Sequence, residues 1–419
     1  MNSSRISITL GISIVFSLLA TTPAQAQTFT VLHTFTGGQD GKNPDAGLTL
    51  DQAENLYGTA IFGGYKEGHC DPVGCGTVFK LTRKNSQWVF APLYSFQGGD
   101  DGTSPEATVT VGPDGTLFGT TTYGGSTNGG TVYDLRPSPK ICTHALCPWA
   151  ETVLYAFKDD CCSGDGIFPA AGVVLDGAGN LYGTTSLGGS RGGAGTVYEL
   201  APSGLGWTET ILHGFGLPDG ITPNAGVIFD KAGNLYGTTE QGGEYGEGTV
   251  YELTPSGDEW TETILHSFNG SDGDAIYAGL IFDQLGNLYG AAYSGGTDGA
   301  GTVFELTPSN GNWSISRLYA FSGGQANGPA ASLTMDAAGN LYGTGSAGGA
   351  YGYGVVFELT PANGSWTYND LHDFSGGSDG AYPYSSLVFD ANGNLYGTTT
   401  YGGLAQGFSG FGVVFEITP

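Results

Sequence analysis

The chain has 419 residues, 76 of them glycine, with only 12% charged residues and a formal net charge of −27 at pH 7. A field of that sign repels phosphate backbones and acidic lipid headgroups, so nucleic acid and membrane surfaces are excluded as partners. Disorder is excluded too, because 39% hydrophobic and 12% aromatic residues can fill a core and the glycines recur at fixed positions.

The chain opens Met1-Asn-Ser-Ser-Arg5, runs through the largely apolar Ile6 to Ala20 and reaches Ala24-Gln-Ala26, the small-x-small pattern of a cleavage site. Residues 1–26 are therefore expected to be a removable signal peptide. The mature protein is expected to be secreted, extracellular or periplasmic, and monomeric. The chain ends at Pro419 directly after a strand, so no C-terminal anchor is expected.

The remainder, 27–419, reads as one repeat. A motif of the type Gly233-Asn-Leu-Tyr-Gly-Thr-Thr239 recurs seven times, its aromatic at Tyr57, Phe118, Tyr182, Tyr236, Tyr289, Tyr342 and Tyr396. A fixed period of this size marks propellers and solenoids. Within the fourth copy, a short β-rich segment ends at Asp230, and the link Asp230-Lys-Ala-Gly-Asn234 reads as a hairpin turn whose Gly takes the left-handed position. Next come Gly248-Thr-Val-Tyr-Glu-Leu253 and the strand begun by Trp260, giving four strands, a to d, per copy. Seven copies of four antiparallel strands predict an all-β, seven-bladed propeller in a single domain. The chain starts on a d-type strand, Thr28 to Phe35, and stops on a c-type strand, Gly412 to Ile417, so the N-terminal strand is expected to complete the last blade. A stacked solenoid has no use for ends split in this way. Small residues such as Ala46-Gly47, Ala171-Gly172 and Ala225-Gly226 make strand a the innermost.

Six cysteines lie in insertions of the early repeats. In an exported protein they are expected to form bridges: Cys70–Cys75 and Cys142–Cys147 locally, with Cys161 and Cys162 either bridged to each other or cross-paired with the Cys70/Cys75 loop. Four histidines, His33, His213, His266 and His372, share one repeat position with Tyr94, Tyr155 and Tyr319, which marks them as structural. All six tryptophans share another position, at the start of strand d, and read as packing between blades; its seventh occupant is Gln27.

Two sets of residues could carry function. The recurrent Asp-Gly pairs at Asp40, Asp101, Asp165, Asp219, Asp272 and Asp379, with Asn327-Gly in the sixth copy, could form a carboxylate ring for Ca²⁺. Asp-Gly is equally a turn pair, and no copy has the dense alternation of acids found in Ca²⁺ loops, so no cofactor is expected. Positions that differ between copies are the better candidates, since the fold does not dictate them. Asp45, Glu106, Asn224, Tyr277 and Tyr384 just before strand a, with Tyr123 and Tyr401 just after strand b, are expected to surround the channel mouth and to suit an extracellular glycan or protein. Asp45 and Glu106, on adjacent blades, could instead serve an extracellular lyase, lactonase or glycosidase as an acid/base pair. A non-catalytic binding module is the first expectation.

The GNLYGTT, GTVYELTP and W-x5-H/Y-x-F elements resemble the GloVer (Gloeo/Verruco-type) tandem repeat of exported bacterial proteins, across roughly residues 28–419. The D-x-x-G-N-L-Y hairpin is also similar to those of NHL-type propellers. The first resemblance implies export and repeat architecture, the second a propeller fold; neither implies an activity.

Overall fold

The computed structural model describes residues 27–85, 87–138, 149–158, 164–190, 192–204, 206–257 and 259–418. The expected signal peptide and Cys142, Cys147, Cys161 and Cys162 lie outside them. The fold is all-β: seven four-stranded antiparallel sheets, each in the order a-b-c-d, form the blades of a propeller. In blade four the strands are Ile228–Phe229, Leu235–Thr239, Thr249–Ser256 and Glu259–Ser267. Blade seven is assembled from both ends of the chain, Thr28–Thr34 pairing antiparallel with Val413–Thr418.

The repeated letters each have a structural cause. Asp230 closes the a–b hairpin by accepting from the backbone N–H of Ala232 and Asn234 at 2.8 and 2.9 Å and from the Asn234 amide at 2.9 Å. Gly233 sits at φ +91°, a left-handed value that a side chain resists. Blade one holds the same conformation with Glu54, at φ +58°. The Gly of Leu-Tyr-Gly lies under the strand c aromatic: a Cβ on Gly237 would stand 2.3 Å from the Tyr251 hydroxyl oxygen. In every blade the d strand carries a one-residue bulge, and the extra residue is always leucine: Leu32, Leu93, Leu154, Leu212, Leu265, Leu318 and Leu371. The bulge shifts the period of two by one place, so a strand that begins with Trp can end by presenting the His or Tyr.

The core lies between blades. One cluster joins Tyr182, Val197 and Phe215 of blade three to Leu235, Tyr251 and Leu253 of blade four, with Trp260 packed against it. Trp88 meets Tyr396 of blade seven edge-on at 5.6 Å, and Trp313 meets Tyr236 of blade four at 6.0 Å. At the place equivalent to these indoles, Gln27 lines a groove of about 670 Å³ together with Tyr342, Leu371 and Phe389.

Threonine hydroxyls stitch the blades into a ring. The first Thr of each LYGTT donates to a carbonyl just before strand a of the next blade: Thr59 to Ala107, Thr120 to Ala171, Thr184 to Ala225, Thr238 to Ala278, Thr344 to Ser385 and Thr398 to Ala46, all at 2.9–3.0 Å. Blade five has Ala291 there and makes no such bond. The second Thr binds its own strand c, as Thr239 does with Thr249 at 2.8 Å.

Candidate functional site

Because strand a is innermost, the residues entering it surround the axis. Asp45, Glu106, Ala170, Asn224, Tyr277, Ala330 and Tyr384, one from each blade, line a single axial cavity of about 560 Å³. Its walls are the small residues that follow them. A Cβ on Gly172 would stand 2.4 Å from the Thr108 carbonyl oxygen, so glycine is required where blades two and three meet.

The polar groups at the mouth are held by a second ring, formed by the residues that immediately follow LYGTT. Thr400 donates to Asp45 at 2.5 Å and Thr122 to Glu106 at 3.0 Å. Glu240 accepts from the Asn224 amide at 2.8 Å and from the Tyr277 hydroxyl at 3.0 Å, joining blades four and five. Tyr293 meets Tyr277 edge-on at 5.3 Å and itself lines the cavity. Among the described residues the lining contains carboxylates, an amide and phenols, and no lysine or arginine.

This environment disfavours charge. Burial pushes the Asp45 carboxyl above the usual range, against the Thr400 hydrogen bond. Burial raises Glu106 too, aided by the nearby Asp45 and opposed by Thr122. Tyr277 is pushed up to about 12, first by burial and then by Glu240. Tyr384 is also raised, by burial and then by Tyr293 and Asp45.

Tyr123 and Tyr401 stand outside the lining. Each pairs its backbone with the preceding loop, Tyr123 with Thr103 and Tyr401 with Ala381, and turns toward an aromatic neighbour, Phe168 at 5.1 Å and Phe408 at 5.1 Å. The mouth residues that sequence reasoning missed, Glu240, Tyr293, Thr122 and Thr400, stand one place earlier. Two residues beyond the stitching Thr, they share its face of the strand, and counting by two from that Thr finds them.

The Asp-Gly carboxylates do not converge on the axis. Each folds back on its own blade: Asp40 meets His33 at 3.2 Å, Asp101 accepts from Tyr94 at 2.6 Å, Asp165 from Tyr155 at 3.1 Å, and Asp272 meets His266 at 3.0 Å. Asp379 is raised by burial but lowered more by His372 and Ser375, and lies at about 2. At the sixth of these places, in the loop between blades five and six, the partner of Tyr319 is Gln325, at 2.7 Å, so the equivalent residue is Gln325 rather than Asn327. Three blade interfaces add a glutamate from the neighbouring d strand: Glu151 beside Asp101, Glu209 beside Asp165, and Glu262 beside His213 and Asp219. Glu151 and Glu209 are pushed up to about 8, by burial and then by their aspartate neighbours. The ligand atoms of His213, Asp219 and Glu262 lie within 4.8 Å of one another. Cys70 and Cys75 are joined, which removes the cross-pairing of Cys161 or Cys162 with that loop.

The model of the Gloeobacter/Verrucomicrobia repeat family matches residues 14–151, 146–314 and 227–419. None of the curated proteins matches the sequence. Among solved structures, a protein of unknown function from Dyadobacter fermentans is 11% identical with a TM-score of 0.46, covering 93% of this chain and 96% of its own. A candidate 6-phosphogluconolactonase from Bacteroides uniformis is 14% identical at TM-score 0.47, with 77% and 84% covered. The extracellular domain of a one-component system from B. thetaiotaomicron is 11% identical at TM-score 0.50, over 92% of this chain and 39% of that one. At such identities the likeness is one of fold alone.

Proposed function

The chain belongs to the Gloeobacter/Verrucomicrobia repeat family, and we propose that its propeller is a non-catalytic binding module that takes a neutral, polyhydroxylated ligand, a glycan, into the axial cavity. The observation that carries this reading is the convergence of non-repeating polar residues, Asp45, Glu106, Asn224, Tyr277 and Tyr384, on one cavity of a molecule built from repeats. Packing shared by seven blades gives no reason for these places to differ. An oriented amide and phenols offer donors to hydroxyl groups and the carboxyls offer acceptors, and the cavity volume falls in the range of small-ligand sites, roughly 300–1,000 Å³. Among the described lining residues no lysine or arginine is present to pair with a phosphorylated or otherwise anionic sugar.

Export belongs to the same reading. It is supported by the Cys70–Cys75 disulfide, which fits an oxidising compartment. Among the described residues no helix is long and apolar enough to cross a membrane.

A second reading, an enzyme acting through Asp45 and Glu106, is favoured by the raised pKa of these two acids on adjacent blades. A screen of the purified protein against mono- and disaccharides and sugar lactones separates the two. Binding without turnover that is lost in Asp45→Asn and Tyr277→Phe supports the module. Turnover with a pH-rate profile abolished by Asp45→Asn or Glu106→Gln supports the enzyme. No binding and no turnover would sink both.

A further inference from the structure

The b–c loop of blade seven carries side chains that repeat packing does not explain. Phe408 sits on a short 3₁₀ turn, Gly407–Ser409, and is 67% exposed; Leu404, in the same loop, is 65% exposed. The loop is anchored. Gly407 N–H donates to the Gly376 carbonyl at 2.8 Å and Gly402 N–H to the Gly407 carbonyl at 3.1 Å. The Phe408 ring stacks on Tyr382 at 4.3 Å with an interplanar angle of 16°, and meets Tyr401 edge-on at 5.1 Å. Tyr353 meets Tyr382 edge-on at 5.8 Å. The cluster holds Phe408 with one face covered and leaves the rest of the ring to solvent.

Tyr382 occupies a strained place. The fold holds this loop position left-handed in all seven blades, at Asn43, Ser104, Phe168, Thr222, Ala275, Gly328 and Tyr382, with φ between 55° and 64°. Asparagine and glycine adopt that conformation at little cost, whereas a bulky aromatic resists it. The backbone need is met without a ring, so the ring answers to something else.

Two chain segments link the cluster to the axial cavity. Thr400, hydrogen-bonded to Asp45, immediately precedes Tyr401. Tyr384 lies two residues beyond Tyr382 and lines the cavity. Its hydroxyl is raised by burial and then by Tyr293, Asp45 and, more weakly, Tyr401, which puts both ends of the surface in its neighbourhood.

Hydroxyl-binding groups at one end and an exposed, immobilised aromatic face at the other match the two surfaces of a sugar chain, whose rings carry hydroxyls around the edge and C–H groups on the face. We propose that Phe408, supported by Tyr382 and Tyr401, is a stacking platform for the outer sugar units of an uncharged oligosaccharide whose end lies in the axial cavity. The inference rests on the reading of that cavity as a glycan site. It adds that the ligand is a chain rather than a free sugar, and that affinity grows with chain length.

The test titrates the full chain, by calorimetry, with disaccharides (maltose, cellobiose, xylobiose) and the hexasaccharides of the same series. The wild type should bind one hexasaccharide about tenfold more tightly than its disaccharide, the increment expected of one well-made stacking contact. Phe408→Ala should remove that gain and leave the disaccharide affinity unchanged; Phe408→Tyr should restore it. Tyr277→Phe should weaken both ligands alike. Equal affinities for short and long ligands overturn the platform while leaving the cavity reading intact. Hexasaccharide binding that depends on Phe408 but ignores Tyr277→Phe, with no disaccharide binding, keeps the platform and overturns the cavity. Binding to none of the panel overturns both. Phe408→Ala altering only self-association in sedimentation would overturn the platform alone, since the patch would then be a protein interface.

Discussion

Replacing Thr398 by valine keeps the volume of the side chain and deletes the hydroxyl that joins blade seven to blade one. The hydroxyl donates at 3.0 Å to the carbonyl of Ala46, a residue only 8% exposed. Two effects follow: a net hydrogen bond of about 1 kcal/mol is lost, and a buried acceptor is left unsatisfied, for a total of about 1–3 kcal/mol. For a chain of this size the unfolding entropy is about 0.8 kcal/mol/K, so a cost of 2 kcal/mol lowers Tm by only about 2–3 °C. Urea unfolding is the better assay, because the midpoint should fall while the slope stays constant. Thr238→Val, at an interior interface, should behave similarly. Blade five supplies the converse experiment. Ala291, fully buried, stands where the other six blades have the stitching Thr, and Ala291→Thr should gain about 0.5–1.5 kcal/mol by reaching the carbonyl before strand a of blade six. A midpoint for Thr398→Val within error of wild type, together with a loss for Ala291→Thr, would refute the stitching argument. The bonds would then be consequences of blade packing rather than contributors to it.

Three further outcomes follow from the geometry. Glu151 and Glu209 have folded-state pKa values of about 8, against about 4.3 unfolded, so their protons are bound more tightly in the folded ring. Their contribution is fully present below pH 4.3 and is lost as the pH rises toward 8; a Glu151→Gln, Glu209→Gln double variant should flatten the urea midpoint between pH 5 and 8, and an unchanged slope counts against the assignment. Reducing Cys70–Cys75, which closes a loop of a few residues, should cost no more than about 2 kcal/mol, and circular dichroism should show the ring intact; unfolding on reduction would contradict this. Gln27→Trp should fill the groove beside Tyr342 and Phe389, where the other blades have tryptophan, and raise stability by about 1–2 kcal/mol, with an unmoved midpoint as the contrary result.

The blades were legible because their physics is local and repeated seven times. Asp-x-x-Gly-Asn is a hairpin on sight, whereas the bulge at each Leu is not, because Trp and His six places apart would share a face by simple alternation. The first ring of the mouth was legible by subtraction, as positions the fold leaves unassigned. The second ring was missed by one residue: Phe62, Tyr123 and Tyr401 lie on the opposite face from Thr400 and Glu240, and a slip of one inverts a strand's faces. Asn327 and Gln325 show a related limit, because the turn pair Asn-Gly is visible in sequence while the side chain that reaches Tyr319 is not. The glutamate pairs were invisible for a different reason. Glu151, Glu209 and Glu262 occupy a d-strand place filled elsewhere by Phe90 and Ile315, and only the neighbouring blade supplies the aspartate that makes them unusual. Phe408 lies in the added length of a b–c loop, where comparison between copies has little to say.

The mixed parentage of blade seven bears on how the molecule acquires its shape. Thr418 and Thr28, joined by a hydrogen bond, are 390 positions apart, whereas the other blades form from neighbours in sequence. Extending loop closure from about 50 residues to this distance adds only about 2 kcal/mol of entropy, so the equilibrium is little affected. The order of events is what changes. Six blades can form as an open arc while the seventh waits with an unpaired c-strand edge at one end and a free strand at the other. At high concentration the free strand of one arc fits the open edge of another as well as its own, which makes domain-swapped oligomers the characteristic error of concentrated refolding and dilution its remedy.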